Sequence, residues 1–186
     1  MITSLIVGVI VIIGIIILYN QIVGNLNRAK RAWSDVITYE KLKQDVIPQL
    51  TQLTDNFKEF ESDFIEKVTA LRESISVLDK DEIDVAALAN VETKSNAVFS
   101  SFRATAENYP ELGSTKIVQE LMDEISDKNE NVAAAITIYN RSVEHFNNSI
   151  EMVPYNLVNS WFAKKQKLDN FHQSGTVESY DYKPNF

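Results

Sequence analysis

Hydrolytic or metal chemistry in this chain would have to be assembled from His145, His172, Ser142 and Ser149. Metal ligation needs imidazole, thiolate or carboxylate groups that converge at fixed spacing. The two histidines are far apart in sequence, and no carboxylates stand beside them at ligand spacing. The chain has no cysteine, which removes thiolate chemistry and a disulfide framework. Ser142 and Ser149 flank His145 on a predicted helix, where a serine beside a histidine reads as a surface residue. There is no nucleophile elbow and no glycine-rich phosphate loop. Residues 55–92 hold eleven acids against four bases, a pattern of a solvated face rather than of a tuned acid–base pair. No catalytic, cofactor-binding or metal-binding residue is assigned, no cofactor is implied, and an enzyme is not expected.

Binding chemistry is better represented. Asn140 and Asn147 are seven residues apart, each directly after an aromatic, Tyr139 and Phe146. That spacing places them beside a helical seam, where an amide sets the register between helices. Both also begin matches to the glycosylation pattern, which a mid-helix, cytoplasmic position makes fortuitous. Leu157, Trp161 and Phe162 precede Lys164, Lys165 and Lys167, a composition suited to a membrane interface. The preferred reading is a short helix that closes the end of a bundle, with its lysines in solvent. Arg28, Lys30 and Arg31 suit anionic headgroups and a solvated helix face equally well. The candidate contact set for lipid or a protein partner is therefore Arg28, Lys30, Arg31, Trp161, Phe162, Lys164 and Lys165.

These residues need elements to position them. Leu5 to Leu18 is apolar throughout apart from Gly8 and Gly14. From Ile2 to Leu18 a helix would be about 26 Å long, enough to span a bilayer at the short end of the range. Leu5, Ile10, Ile13, Ile17 and Leu18 are its lipid-facing candidates. No base precedes the apolar run and no small-residue cleavage site follows it, so a retained anchor is expected over residues 1–22 rather than a signal peptide. Past it, a stripe of Val36, Tyr39, Leu42, Val46, Leu50, Leu53, Phe57, Phe60, Phe64, Val68, Leu71, Ile75 and Leu78 recurs every three or four positions. That pattern predicts one long helix over residues 23–78, kinked at Pro48 because proline removes a backbone donor. Helices are also predicted over 83–109 and 115–153, with a short one over 155–162. Pro110, Gly113 and Pro154 mark their ends. The third helix carries a seam of Val132, Ile136, Tyr139, Val143, Phe146, Ile150 and Val153. The fold class is all-α: an N-terminal transmembrane helix leading into an antiparallel, up-and-down bundle with coiled-coil-like packing. Residues 23–163 form the bundle domain, and the polar tail over 164–186 is expected to be disordered.

The net charge of −8 argues against a nucleic-acid partner. The charge is uneven, because residues 25–43 carry a net of +3 and residues 55–92 a net of −7. Bases just after the anchor, and none before it, place the N-terminus outside and the domain in the cytoplasm of a cell membrane.

An ordered set of short motifs resembles the LemA family of bacterial membrane proteins. The first group is Tyr19-Asn20, Val23, Asn27, Ala32-Trp33, Asp35, Leu42, Asp45-Val46-Ile47-Pro48 and Leu50. The second runs from Glu107 through Asn108, Tyr109, Pro110 and Glu111 to Leu112, followed by Leu121, Glu124 and Ile125. The third is Val132-Ala133, Tyr139-Asn140, Val143, Phe146-Asn147, Ile150, Pro154 and Asn156-Leu157-Val158, and the chain closes on Lys183-Pro184-Asn185-Phe186. The resemblance implies a single-pass anchor, an outside N-terminus and long helices, with no catalytic residues to carry over. The chain departs from the family pattern at Lys43-Gln44, Asn129 and Ile136. The expected function is a membrane-anchored scaffold or adaptor whose partners are the lipid bilayer and unidentified proteins, with homo-oligomerisation left open. The alternatives are a membrane-shaping or lipid-surface protein and, second, a sensory helical bundle.

Overall fold

The computed structural model describes residues 1–56, 62–113 and 115–172. Helix α1 runs unbroken over Ile2–Leu42, and α2 occupies Ile47–Asn56. They are followed by α3 (Ser62–Val77), α4 (Val85–Asn108), the one-turn α5 (Pro110–Gly113), α6 (Lys116–Glu151) and the short α7 (Tyr155–Val158). A single π turn over Asn159–Ala163 ends the helical part, and there is no strand among the described residues.

The local chemistry explains the ends. Asp84 caps α4 by accepting from the Ala87 N–H at 2.8 Å. Thr115 caps α6 by accepting from the Val118 N–H at 3.4 Å. Both satisfy donors that a helix leaves free in its first turn. Gly113 is required at the joint between them, because a Cβ there would lie 2.4 Å from the Ala106 carbonyl oxygen. Pro48 has no N–H to offer the preceding turn. Residues Lys43–Asp45 tighten into a 3-10 turn, with the Val46 N–H bonding the Lys43 carbonyl at 3.1 Å. Leu42, Lys43 and Val46 all keep right-handed helical angles, so the chain bends there and continues.

The register along α6 carries the same conclusion. Trp33 packs against Tyr139 with ring centroids 5.3 Å apart and planes inclined by 58°, Lys128 lies 3.9 Å from Asp45, and Gln49 donates to Glu124 at 3.2 Å. Sixteen residues up α1–α2 correspond to fifteen down α6, an antiparallel pairing that crosses Pro48 without a slip. α3 then returns antiparallel to α1–α2, and the Trp33 indole donates to the Asp79 carbonyl at 3.1 Å. α4 runs antiparallel to α3, with Phe64 and Phe102 6.4 Å apart. The result is an up-and-down bundle whose main core joins Trp33, Leu50, Leu71, Leu88, Phe102, Leu121, Tyr139 and Val143.

Three expectations are corrected. The single helix over 23–78 is instead two antiparallel arms, α1–α2 and α3, and residues 57–61 between them lie outside the described residues. An apolar stripe reports which face is buried and not which way the helix runs, so two arms whose stripes stay in phase look like one. The α1 seam also differs. Tyr39 and Leu42 are well exposed, while Ala29, Ala32, Trp33, Val36, Ile37 and even Glu40 are buried. Finally, residues 164–172 of the expected disordered tail are held against the bundle, with Phe171 buried in the main core. The rest of that tail, 173–186, lies outside the described residues.

Candidate functional site

The base of the bundle is where α1 emerges as an isolated apolar helix. Leu5, Ile10, Ile13 and Ile17 are each at least half exposed, and no described residue covers the stretch from Ile2 to Ile13. It is the one helix among the described residues long and apolar enough to cross a membrane. Leu18 behaves differently: with Ile15 it packs partly against a second core of Ile22, Phe146, Ile150, Val158 and Ala163. The boundary at residue 22 is therefore not a seam between two units. Ile22 belongs to the bundle, and α1 passes from one to the other without a joint.

α7 and the π turn sit beside α1 at this level, and Tyr155 donates its hydroxyl to the Gln21 carboxamide. The segment has two faces. Val158 and Ala163 point into the second core, as expected of an element that closes a bundle. Leu157, Trp161 and Phe162 point outward, with Met152 and Val153 exposed just before them, and Trp161 is 75% exposed. Lys164 adopts a left-handed conformation (φ 49°), which turns the chain back up the bundle. Lys164 and Lys165 are exposed next to the Trp161 face. Arg28, Lys30 and Arg31 are exposed on α1, beginning about 9 Å above Ile22. The structure thus brings Trp161, Phe162, Lys164 and Lys165 together and puts the α1 bases on the same end of the molecule.

The segment after Lys164 is held by three asparagines. Asn159 accepts from the Lys165 N–H at 2.9 Å and donates to the Lys165 carbonyl at 3.0 Å. Asn147 does the same for Leu168 at 3.0 and 2.9 Å, and Asn140 for Phe171 at 2.8 and 2.7 Å. A carboxamide carries one acceptor and one donor side by side, so it satisfies both backbone groups of a residue at once. The gripped residues are three apart, and the Tyr139 hydroxyl adds a bond to the Asp169 carbonyl at 2.9 Å. Burial, with the Asp169 carboxylate adding to it, pushes the Tyr139 hydroxyl well above its ordinary pKa, which keeps it a donor. Asn140 and Asn147 therefore do not set register between helices. They bind a strap of main chain, and Asn159 completes the row without having been singled out by its sequence position.

Sequence reasoning also missed Glu40 and Lys43, which lie in the core. The Lys43 ammonium donates to Glu40 at 3.1 Å and to the Ser95 hydroxyl at 3.4 Å. Burial raises the Glu40 pKa, and the adjacent Lys43 charge pulls it partly back. The signal was present as helical spacing: Val36, Glu40 and Lys43 continue the buried face of Ala29 and Trp33. Farther from the base, α4 and α6 diverge around a groove of about 580 Å³ whose lining includes Phe99, Arg103, Met122, Asn129 and Glu130.

An up-and-down helical bundle carried on one continuous apolar helix, with a gripped C-terminal strap, defines a class of protein compatible in length and composition with membrane anchoring. The model of the LemA family matches residues 32–181. The chain belongs to the LemA family. It is also similar to Protein LemA of Metamycoplasma hominis, with 27% identity over 168 residues, covering 87% of this chain and 72% of that protein.

Proposed function

We propose that this chain is a membrane-anchored cytoplasmic scaffold without catalytic activity, which presents its bundle to protein partners at a fixed height and angle above the bilayer. The supporting observation is the continuity of α1. An adaptor on a flexible tether would show a loop between anchor and domain, whereas here one helix is at once the apolar segment and the central strut of the core. The excess of Arg28, Lys30 and Arg31 just after the apolar run supports the cytoplasmic placement. The groove between α4 and α6 is the surface best suited to a helical partner. It offers Phe99 and Met122 as apolar floor and Arg103, Glu107 and Glu130 as charged rim.

A photo-crosslinking residue at Ser100 or Ser126, both exposed in that groove, tests this in cells. Discrete adducts with another protein are expected there and not from the same probe at exposed Thr137. Absence of adducts at both groove positions, or equal labelling at all three, would sink the scaffold reading at this surface.

A further inference from the structure

Closing the bundle accounts for only half of the segment from Met152 to Ala163. Val158 and Ala163 do that work from the inward face. The outward face exposes Met152, Val153, Leu157, Trp161 and Phe162 in one short stretch, and bundle closure gives no reason for large apolar side chains there.

We propose that this outward face is a lipid-docking element that lies in the headgroup layer of an anionic bilayer, the same bilayer that α1 enters. The inference rests on α1 being the anchor. Three observations select lipid as the occupant. The first is level: Tyr155 bonds Gln21, and Ile15 and Leu18 pack on the core that Val158 and Ala163 belong to. The segment is thereby fixed one turn from where a span ending near Leu18 leaves the hydrocarbon. The second is chemistry. An exposed indole favours the boundary between hydrocarbon and water, where its ring is apolar and its N–H is hydrated. The third is charge. Lys164 and Lys165 follow Trp161 and Phe162, and Arg28, Lys30 and Arg31 share the same end, although the chain as a whole is strongly acidic. Lysine stems lie along apolar surface while their ammonium groups reach the phosphates. The row of asparagines has a role here too. By gripping Lys165, Leu168 and Phe171, it stops the chain from peeling the two lysines away from the interface.

The test uses the full chain reconstituted into vesicles of phosphatidylcholine with phosphatidylglycerol. Trp161 is isolated as the difference in fluorescence between the native chain and Trp161→Phe, since the remaining indole, Trp33, is buried. In vesicles whose acyl chains are brominated close to the carbonyls, most of the Trp161 emission should be lost, and its maximum should lie to the blue of a hydrated indole. Lys164→Glu with Lys165→Glu should restore part of that emission in anionic vesicles and change little in pure phosphatidylcholine. Flotation after an alkaline wash is run on every sample. A chain that floats while Trp161 stays unquenched overturns the docking inference and leaves the anchor standing. So does a blue-shifted but unquenched Trp161, which would mean a protein covers the face. An unchanged signal on charge reversal overturns the anionic preference, and failure to float overturns both readings.

Discussion

At the scale of single residues, the polar groups placed inside or against the core decide the most. Glu40 and Lys43 form a buried pair three residues apart on one face of the helical chain. Removing one member of such a pair strands the other charge, while removing both is often neutral. Lys43→Met is expected to cost about 3–5 kcal/mol at neutral pH, whereas Lys43→Met with Glu40→Leu costs little. The loss should depend on pH in a fixed sense. Burial already raises the Glu40 carboxyl above its ordinary value, and without Lys43 it rises further. Below the ordinary value the group is protonated in both folded and unfolded states and nothing is lost. As the pH rises above it, the folded state alone resists ionisation and stability falls. Urea melts at about pH 4 and about pH 7 would check this, and a penalty for Lys43→Met that is as large in acid contradicts it. The asparagines make a second residue-scale prediction. Asn147→Ala leaves the Leu168 N–H and carbonyl without partners, at about 1–3 kcal/mol, which is enough to free the strap locally. Trypsin should then cut after Lys165 and Lys167 faster than in the native chain. Ala at the neighbouring exposed Asn148 should leave the rate unchanged.

Between single residues and the whole molecule stand the elements, and here direction matters more than period. α1 and α2 follow α6 in one register across Pro48, and α3 comes back beside them. Spin labels at Arg31 and Thr69 would be about 57 Å apart on one uninterrupted helix. With α3 returning along α2, where Thr51 and Thr69 line the same small pocket, the separation should be under about 35 Å. A distance near the longer figure would mean that α3 does not return. The elements that the sequence made legible are those with both a period and a stop. α4 ends where Pro110 and Gly113 require it, and α6 starts at its Thr115 cap and buries Val132, Ile136, Tyr139, Val143, Phe146 and Ile150 as their spacing predicts, whereas Val153, expected on the same seam, lies past the helix end and is exposed. That α3 runs antiparallel to α2 was not legible, because the stripes of the two arms stay in phase. Nor was the strap. Its attachment is to main-chain atoms, which every residue carries, so only Leu168 and Phe171 show in the sequence and two apolar residues make no period. The outward and inward halves of the 155–163 segment were equally hidden, since five or six apolar residues in one turn or two fit either face.

The whole molecule combines an apolar helix, a basic base and an acidic body. Its orientation has a direct test, because the chain has no native cysteine. A cysteine in place of Asn170, which is exposed, should resist an impermeant thiol reagent in intact cells and react after lysis. Labelling of intact cells would place the bundle outside. The absence of a joint in α1 has one more consequence, a mechanical one. On the proposed anchoring, the tilt of α1 is set where its apolar stretch and its interfacial side chains meet the bilayer. Because α1 is also the strut of the bundle, that tilt is not absorbed at the surface but is carried as the angle of a lever. From Gln21 to Asn56 the lever is about 50 Å long, and a change of about 10° moves its far end by about 9 Å. On that anchoring, a change of tilt at the bilayer would become a displacement in the aqueous phase.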